Sequence, residues 1–207
     1  MPKILSLVHT AEVHSDTFDA LRDRIAPGLA LHHHIRTDWL DRAQVGMSPE
    51  LAQEIRQTVQ DSHQPVICTC TTIAPVAENA GAIRIDQPMM QEAARLGGPV
   101  IMAYCLESTK EPSLELLLYT LLMEKSQGTA HLLPLTHLWP LFMSGRIKDF
   151  HAEIASAIRE KIDDFPPTAC VVLAQASMAG AAALLTDLPV PVLTSPELAL
   201  RAGLAQL

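Results

Sequence analysis

Residues 66–75 read VICTCTTIAP, and the order of residue types in this stretch sets the reading of the whole chain. An unbroken apolar run reaches a cysteine pair, two threonines follow, and Pro75 lies early in a segment that runs on to Gly81. Apolar, β-branched residues without polar alternation suit a strand buried on both faces. A proline in the first turn of the next segment and a glycine past its end suit a helix. A strand that feeds directly into a helix is the unit of a parallel sheet, because parallel neighbours need a crossover between them. The stretch therefore predicts a strand over 65–70 and a helix over 73–79, with Cys70, Thr71 and Thr72 at the strand's carboxyl end.

The same alternation continues in both directions. Strands are predicted over 3–8, 29–35 and 83–86, then over 99–105, 131–135, 169–174 and 191–195. Between them lie helices over 16–25, from Pro49 with Ser48 as its cap, from Pro88 to the Gly97–Gly98 pair, and over 112–127, 138–143, 150–162 and 177–185. A last helix opens at Pro196. Strands that alternate with helices mean parallel sheets covered on both faces. Gly97–Gly98 is the internal break, and the pattern restarts after it. The fold class expected is α/β: two pseudo-symmetric lobes, each a parallel sheet flanked by helices, with the active site in a cleft between them. In such sheets ligands bind at the carboxyl ends of the strands.

Composition narrows the function. The 207 residues carry a formal net charge of −8 and are 48% hydrophobic and 18% charged, a globular balance. No Lys/Arg run occurs, and a net negative field repels phosphates, so no nucleic-acid partner is expected. No uninterrupted apolar stretch is long enough to span a bilayer. The N-terminal apolar run is too short for a signal peptide. A soluble, cytoplasmic protein with no membrane partner is expected. The four cysteines, Cys68, Cys70, Cys105 and Cys170, fit no zinc spacing and are expected to be free thiols. His32, His33 and His34 are adjacent on a predicted strand, where neighbours point to opposite faces, so they do not make a metal site.

Chemistry concentrates at strand ends. Cys70 is the lead candidate: backbone N–H groups and hydroxyls at a helix start favour a thiolate, so its pKa is expected below the free value. Cys68 sits deeper in the strand and Cys170 begins one, both core positions. Cys105 ends a strand of the second lobe. Thr10, Thr71, Thr72, Ser108, Thr109, Ser177 and Ser195 follow strands and suit either helix capping or the binding of a small carboxylate. His9 is a candidate general base, and Asp38 a loop carboxylate. No GxGxxG, GxxxxGK[ST] or GxSxG occurs, which removes the common phosphate loops and the hydrolase elbow.

Five segments in order, CTCTT, RIDQPMMQEAARLG, LESTKEP, VVLAQASMAG and PVPVLTSPE, together resemble the aspartate/glutamate/hydantoin racemase superfamily. The resemblance covers nearly the whole chain. It implies two pseudo-symmetric lobes with the final strand and helix returning to the first, so that residues 1–97 plus 187–207 form one lobe and 98–186 the other. It implies no metal and no organic cofactor, and two cysteines, one from each lobe, that face each other across a substrate. Cys70, with Thr71 and Thr72 behind it, matches the first cysteine. The second cysteine stands in a run such as Leu-Gly-Cys-Ala-Gly-Met, and here that run is Leu173, Ala174, Gln175, Ala176, Ser177, Met178. Gln175 therefore occupies the second-cysteine position. The resemblance also implies substrate contacts from Thr10, Thr71, Thr72, Thr109, Gln175, Ser177 and Ser195.

Gln175 changes what the chain is expected to do. Racemisation by two bases needs a proton acceptor on one face of the α-carbon and a donor on the other, and an amide does not titrate. The expectation is a cofactor-independent, Cys70-dependent enzyme of isomerase type that acts on a small carboxylate or amino-acid-like substrate through one thiol. A second base is expected only if Cys105 or His9 reaches the vacant face. Two alternatives stand beside it: a small-carboxylate binding or sensing protein, and a decarboxylase or lyase using one thiol. Lobes of this kind often dimerise, so a homodimer is expected.

Overall fold

Each of the eight predicted apolar runs contains a strand of the protein, whose computed structural model describes residues 3–207. β1 (Ile4–His9), β2 (Ala30–Ile35), β3 (Val66–Cys68) and β4 (Ile83–Arg84) form a parallel sheet in the order β2-β1-β3-β4. β5 (Val100–Tyr104), β6 (Ala130–Pro134), β7 (Cys170–Leu173) and β8 (Val192–Thr194) form a second in the order β6-β5-β7-β8. The two orders are the same when each first-sheet strand is matched to the strand four later. The fold is α/β with two parallel sheets flanked by helices, as the alternation requires.

The helices are α1 (Val13–Ile25), α2 (Asp38–Val45), α3 (Pro49–Gln60), α4 (Ala74–Glu78), α5 (Gln87–Leu96), α6 (Glu107–Met123), α7 (Trp139–Met143), α8 (Ile147–Lys161) and α9 (Ser195–Leu204). Ser48 caps α3 as expected, its hydroxyl accepting from Leu51 N–H at 3.2 Å. α2 lies where the sequence suggested a loop. Its one buried residue is Trp39, and its polar side is held by Arg42, which donates to Asp38 at 2.9 Å and to Glu54 at 2.7 and 2.8 Å. α6 starts at Glu107 rather than at Pro112. A proline inside a helix forfeits one bond to the preceding turn, and the rest of α6 makes up for it by burying Leu116, Leu117 and Leu121. The small-residue segment predicted as a helix over 177–185 is instead a 3-10 helix, Ala176–Leu184. There Gly180 runs against the His151 ring of α8, where a Cβ would collide.

The chain divides into two compact units, Met1–Pro88 with Pro196–Leu207, and Met89–Ser195. In the first, Leu51, Ile55 and Val59 of α3 pack with Val8, Val66, Cys68, Ile73 and Ala77. Gly203 of α9 lies so close to the sheet that a Cβ there would stand 2.9 Å from a Leu5 methyl. In the second, Phe150, Ile154 and Ile158 of α8 pack on Ile101, Ala103, Val171 and Leu173. The last strand departs from the expected division at 187. β8 pairs with β7, Val171 opposite Val192 and Leu173 opposite Thr194, so its backbone is satisfied in the second sheet, and only the helix after it groups with the first unit.

Candidate active site

The register of β1 on β3 sets the surroundings of Cys70. Val8 pairs with Cys68, and Thr69 N–H donates to Val8 C=O at 2.9 Å. Two places further on, the same register brings Thr10 beside Cys70. The Thr10 hydroxyl, the backbone N–H groups of Ile73 and Thr72 and the Thr72 hydroxyl all favour the charged form of the Cys70 sulfur. Thr71 is buried in the same turn, its carbonyl accepting from Ala74 N–H at 3.3 Å. Thr10, Cys70, Thr71 and Thr72 thus come together as one cluster. The thiol pKa does not move as the sequence suggested. Burial pushes Cys70 up from the ordinary 9.0, and the four donors pull against it without winning. The helix that follows is five residues long and adds little field of its own. Cys68, completely buried, donates to the Cys70 carbonyl at 3.6 Å, and burial pushes its thiol up as well.

His9 closes β1 and is buried. The Thr69 hydroxyl donates to Val8 C=O at 3.0 Å, so the 2.8 Å contact between Thr69 and His9 Nδ1 has the imidazole as donor. In the neutral ring Nε2 is then an acceptor, and it meets His33 Nδ1 at 2.8 Å. Both ring nitrogens are engaged within the protein. Burial first, then the neighbouring His33, His14 and His34, push the His9 pKa down to about 3. A ring with no free nitrogen and so little basicity is not a general base, which removes His9 as a replacement for the missing cysteine. This chain from Thr69 through His9 to His33, whose other nitrogen lies 3.6 Å from Asp19, was not anticipated. Its only signal is the alternation in HHH, which turns His33 to the opposite face from His32 and His34.

The second sheet repeats the frame with different side chains. Ala103 pairs with Leu173, and Ala174 N–H donates to Ala103 C=O at 3.0 Å, the counterpart of the Thr69–Val8 bond. Gln175 therefore stands two places past β7, as Cys70 stands two places past β3. Cys105 stands one place past β5, as Thr10 stands one place past β1. The bridge is kept and reversed. In the first unit the Thr10 side chain reaches Cys70, whereas in the second the Gln175 side chain accepts from Cys105 N–H at 2.6 Å. A backbone N–H only donates, so the bonded amide atom is Oε1, and Gln175 is left with its NH2 as a donor. The Cys105 side chain belongs to the core with Leu135, Phe150 and Ile154, and burial pushes its thiol up to about 12. It is not the second base either.

The remaining candidates stay within the second unit. Thr109 is buried in the first turn of α6, its N–H donating to Leu106 C=O at 3.0 Å. Ser177 accepts at its carbonyl from His151 Nε2 at 2.9 Å. Ser195 opens α9, and its buried hydroxyl has no hydrogen-bond partner. All four cysteines are free. Among the described residues no group of three or more His, Cys, Asp or Glu is placed to hold a metal ion, and no helix is long and apolar enough to cross a membrane.

The two matched sheets have counterparts among solved structures. Aspartate racemase from Picrophilus torridus superposes with a TM-score of 0.70 at 11% identity, over 97% of this chain and 94% of that one. The chain has the racemase fold. Glutamate racemase from Francisella tularensis subsp. tularensis SCHU S4, in complex with D-glutamate, shares this racemase fold with a TM-score of 0.68 at 11% identity, over 99% and 80% of the two chains. Allantoin racemase from Klebsiella pneumoniae shares it with a TM-score of 0.60 at 17% identity, over 98% and 86%. No protein-family model matches the sequence, and no curated protein sequence matches it.

Proposed function

We propose that this protein is a cofactor-independent enzyme of isomerase type that acts on a small carboxylate or amino-acid-like substrate through a single thiol, Cys70. The observation that carries the reading is the set of four donor groups, from Thr10, Thr72 and Ile73, that favour the charged form of one buried sulfur. Donors aimed at sulfur stabilise it when it bears negative charge, and they do so most strongly where water is excluded. As a thiolate, Cys70 adds to one carbon of a double bond conjugated to a carboxylate. The former double bond turns about its single-bond axis, and elimination of the thiolate returns the isomerised alkene. As a thiol, its resting form given the raised pKa, it delivers a proton to one face of a carbanion. Thr10 and Thr72 position the sulfur, and Thr71, Thr109, Ser177 and Ser195 are the proposed polar contacts to substrate. Gln175 offers an amide donor to a carboxylate or carbonyl oxygen and takes no proton, so two-base racemisation is not the proposed reaction.

A second reading draws on the same burial. A thiol held above its ordinary pKa suits a protein that binds a small carboxylate without turning it over. Proton NMR in deuterated buffer with a panel of small dicarboxylates, unsaturated diacids, amino acids and hydantoins separates the readings. The enzyme exchanges an α-proton without inversion or isomerises an alkene, and loses both on stoichiometric alkylation of Cys70. Line broadening of a ligand with no change in it supports the binding protein. Inversion at the α-carbon defeats the single-thiol proposal.

A further inference from the structure

We propose that Asp86 is a positioning residue for Cys70: it holds the Arg84 guanidinium in a neutral pair and so keeps the neighbouring sulfur in its proton-bearing form. The inference rests on the reading of Cys70 as the working thiol, and it concerns the first unit alone. β4 lies beside β3 with Arg84 opposite Cys68, and Ile85 N–H donates to Cys68 C=O at 3.1 Å, so the alignment runs on past the strand. Opposed residues of parallel strands share a face, and the residue two places on returns to it. Arg84 and Asp86 therefore stand on the face that carries Cys68 and Cys70, which pack in one cluster with Val8 and with Ala77 of α4. Arg84 is 5% exposed and Asp86 0%. Arg84 Nε donates to Asp86 Oδ1 at 3.0 Å and Nη2 to Oδ2 at 2.9 Å, while Nη1 lies 3.6 Å from Glu78 at the end of α4.

A guanidinium keeps its proton inside a protein, so a permanent cation stands on the face of two thiols. Left unbalanced, it draws the proton off a nearby sulfur, as basic side chains do at reactive cysteines. Here it is balanced. Burial raises the Asp86 carboxyl and Arg84 draws it back, and the two parallel bonds keep that carboxyl ionised against the cation. Glu78, 40% exposed and screened by solvent, adds a second and weaker negative charge. Cys68 registers both members of the pair: behind the burial that dominates its thiol, Asp86 pushes it up and Arg84 pulls it down. α2 and α3 pack on this face through Trp39, Leu51, Ile55 and Val59, and their own pair, Arg42 with Glu54, is exposed. His9, bonded to Thr69, turns to the opposite face. The buried pair thus ties β4 to α4 without charging the surroundings of Cys70. Of the two routes open to a single thiol, a resting S–H favours delivery of a proton to a carbanion over addition to an alkene.

The rate at which iodoacetamide labels Cys70 in the full chain, read by peptide mass spectrometry as a function of pH, tests this. Asp86→Asn leaves the cation uncompensated and is expected to label about tenfold faster at pH 8, with its profile moved down. Arg84→Met removes the cation and does not speed labelling. The double variant Arg84→Met with Asp86→Asn carries neither charge and labels as the wild type does. Glu78→Gln, at a half-exposed side chain that folding does not depend on, labels about twofold faster and reads the same balance if Asp86→Asn does not fold. Acceleration shared by Arg84→Met and the double variant means a loosened fold and overturns the proposal. Folded Asp86→Asn and Glu78→Gln proteins that label no faster than wild type overturn it too. Labelling reads the thiol and not turnover, so the two readings fail separately. Acceleration in a protein that changes no substrate supports the charge balance and counts against the enzyme. Unaltered labelling in an active enzyme overturns the charge balance and leaves the enzyme standing.

Discussion

The two strand ends that carry Cys70 and Gln175 share a backbone and differ in what they can do with a proton. Each residue stands two places beyond the third strand of its sheet. Each frame is closed by a bond from the residue after the third strand back to the first, Thr69 to Val8 at 2.9 Å and Ala174 to Ala103 at 3.0 Å. Each is tied to the first strand's end by one side chain. In the first unit a hydroxyl favours the charged form of a sulfur; in the second an amide oxygen accepts from a backbone N–H. Repetition of topology therefore does not repeat chemistry. The frame supplies the place, and one side chain decides whether the place titrates.

The comparison breaks most severely at Cys70. Cys70→Ala removes the only titrating group of the pair and is expected to lower turnover by at least about a thousandfold, with the thermal melt nearly unchanged. Turnover within tenfold of wild type would show that the thiol is not what distinguishes the two ends. Gln175→Cys makes the ends alike. On an amino acid whose α-proton the wild type exchanges, the variant is expected to add inversion, read by chiral chromatography. Thr72→Val removes one hydroxyl donor from the sulfur. Hydrogen bonds to charged groups are worth roughly 1.5–3 kcal/mol, so alkylation of Cys70 at pH 8 is expected to slow by about tenfold, and its pH profile, already displaced above 9.0, to move further up. An unaltered profile would mean that the Thr72 hydroxyl does not reach the thiolate.

The smallest effect lies beside the first of these ends. His9 and His14 have pKa values pushed down to about 3 and about 4 from 6.5, chiefly by burial. Between those values and 6.5 the unfolded chain binds protons that the folded chain does not, so stability rises with pH across this window. It is complete above 6.5 and is lost progressively toward pH 4. Urea midpoints measured between pH 7 and pH 5, where few carboxylates titrate, are expected to fall with a slope approaching two protons. A flat series would mean that the two rings accept protons without opening the fold.

Much of this was legible in the sequence, for identifiable reasons. The β-strands were found because unbroken apolar runs bounded by proline and glycine have few other readings. Cys70 could be placed by counting to the end of its apolar run, whereas Gln175 was singled out only by the resemblance of its segment to the racemase superfamily. α2 was missed because RTDWLDRAQV buries one side chain, Trp39, and shows no apolar stripe. The start of α6 was misplaced because Pro112 imitates a first-turn proline. The direction of the Cys70 shift was missed because it is a contest between donors, which the local sequence displays, and burial, which distant residues impose. The same holds for His9: nothing near it in the chain announces that Thr69 and His33 occupy both of its nitrogens.

The 2.6 Å bond from Cys105 N–H to Gln175 has one more consequence. Gln175 is a clasp as well as an absence of thiol. Cysteine at 175 is too short and too poor an acceptor to fasten it, and a buried N–H left open costs about 1–3 kcal/mol. A lineage that exchanged cysteine for glutamine here, or the reverse, would cross a step in stability as well as in chemistry. The way back to two thiols is uphill unless another acceptor first takes over the Cys105 amide.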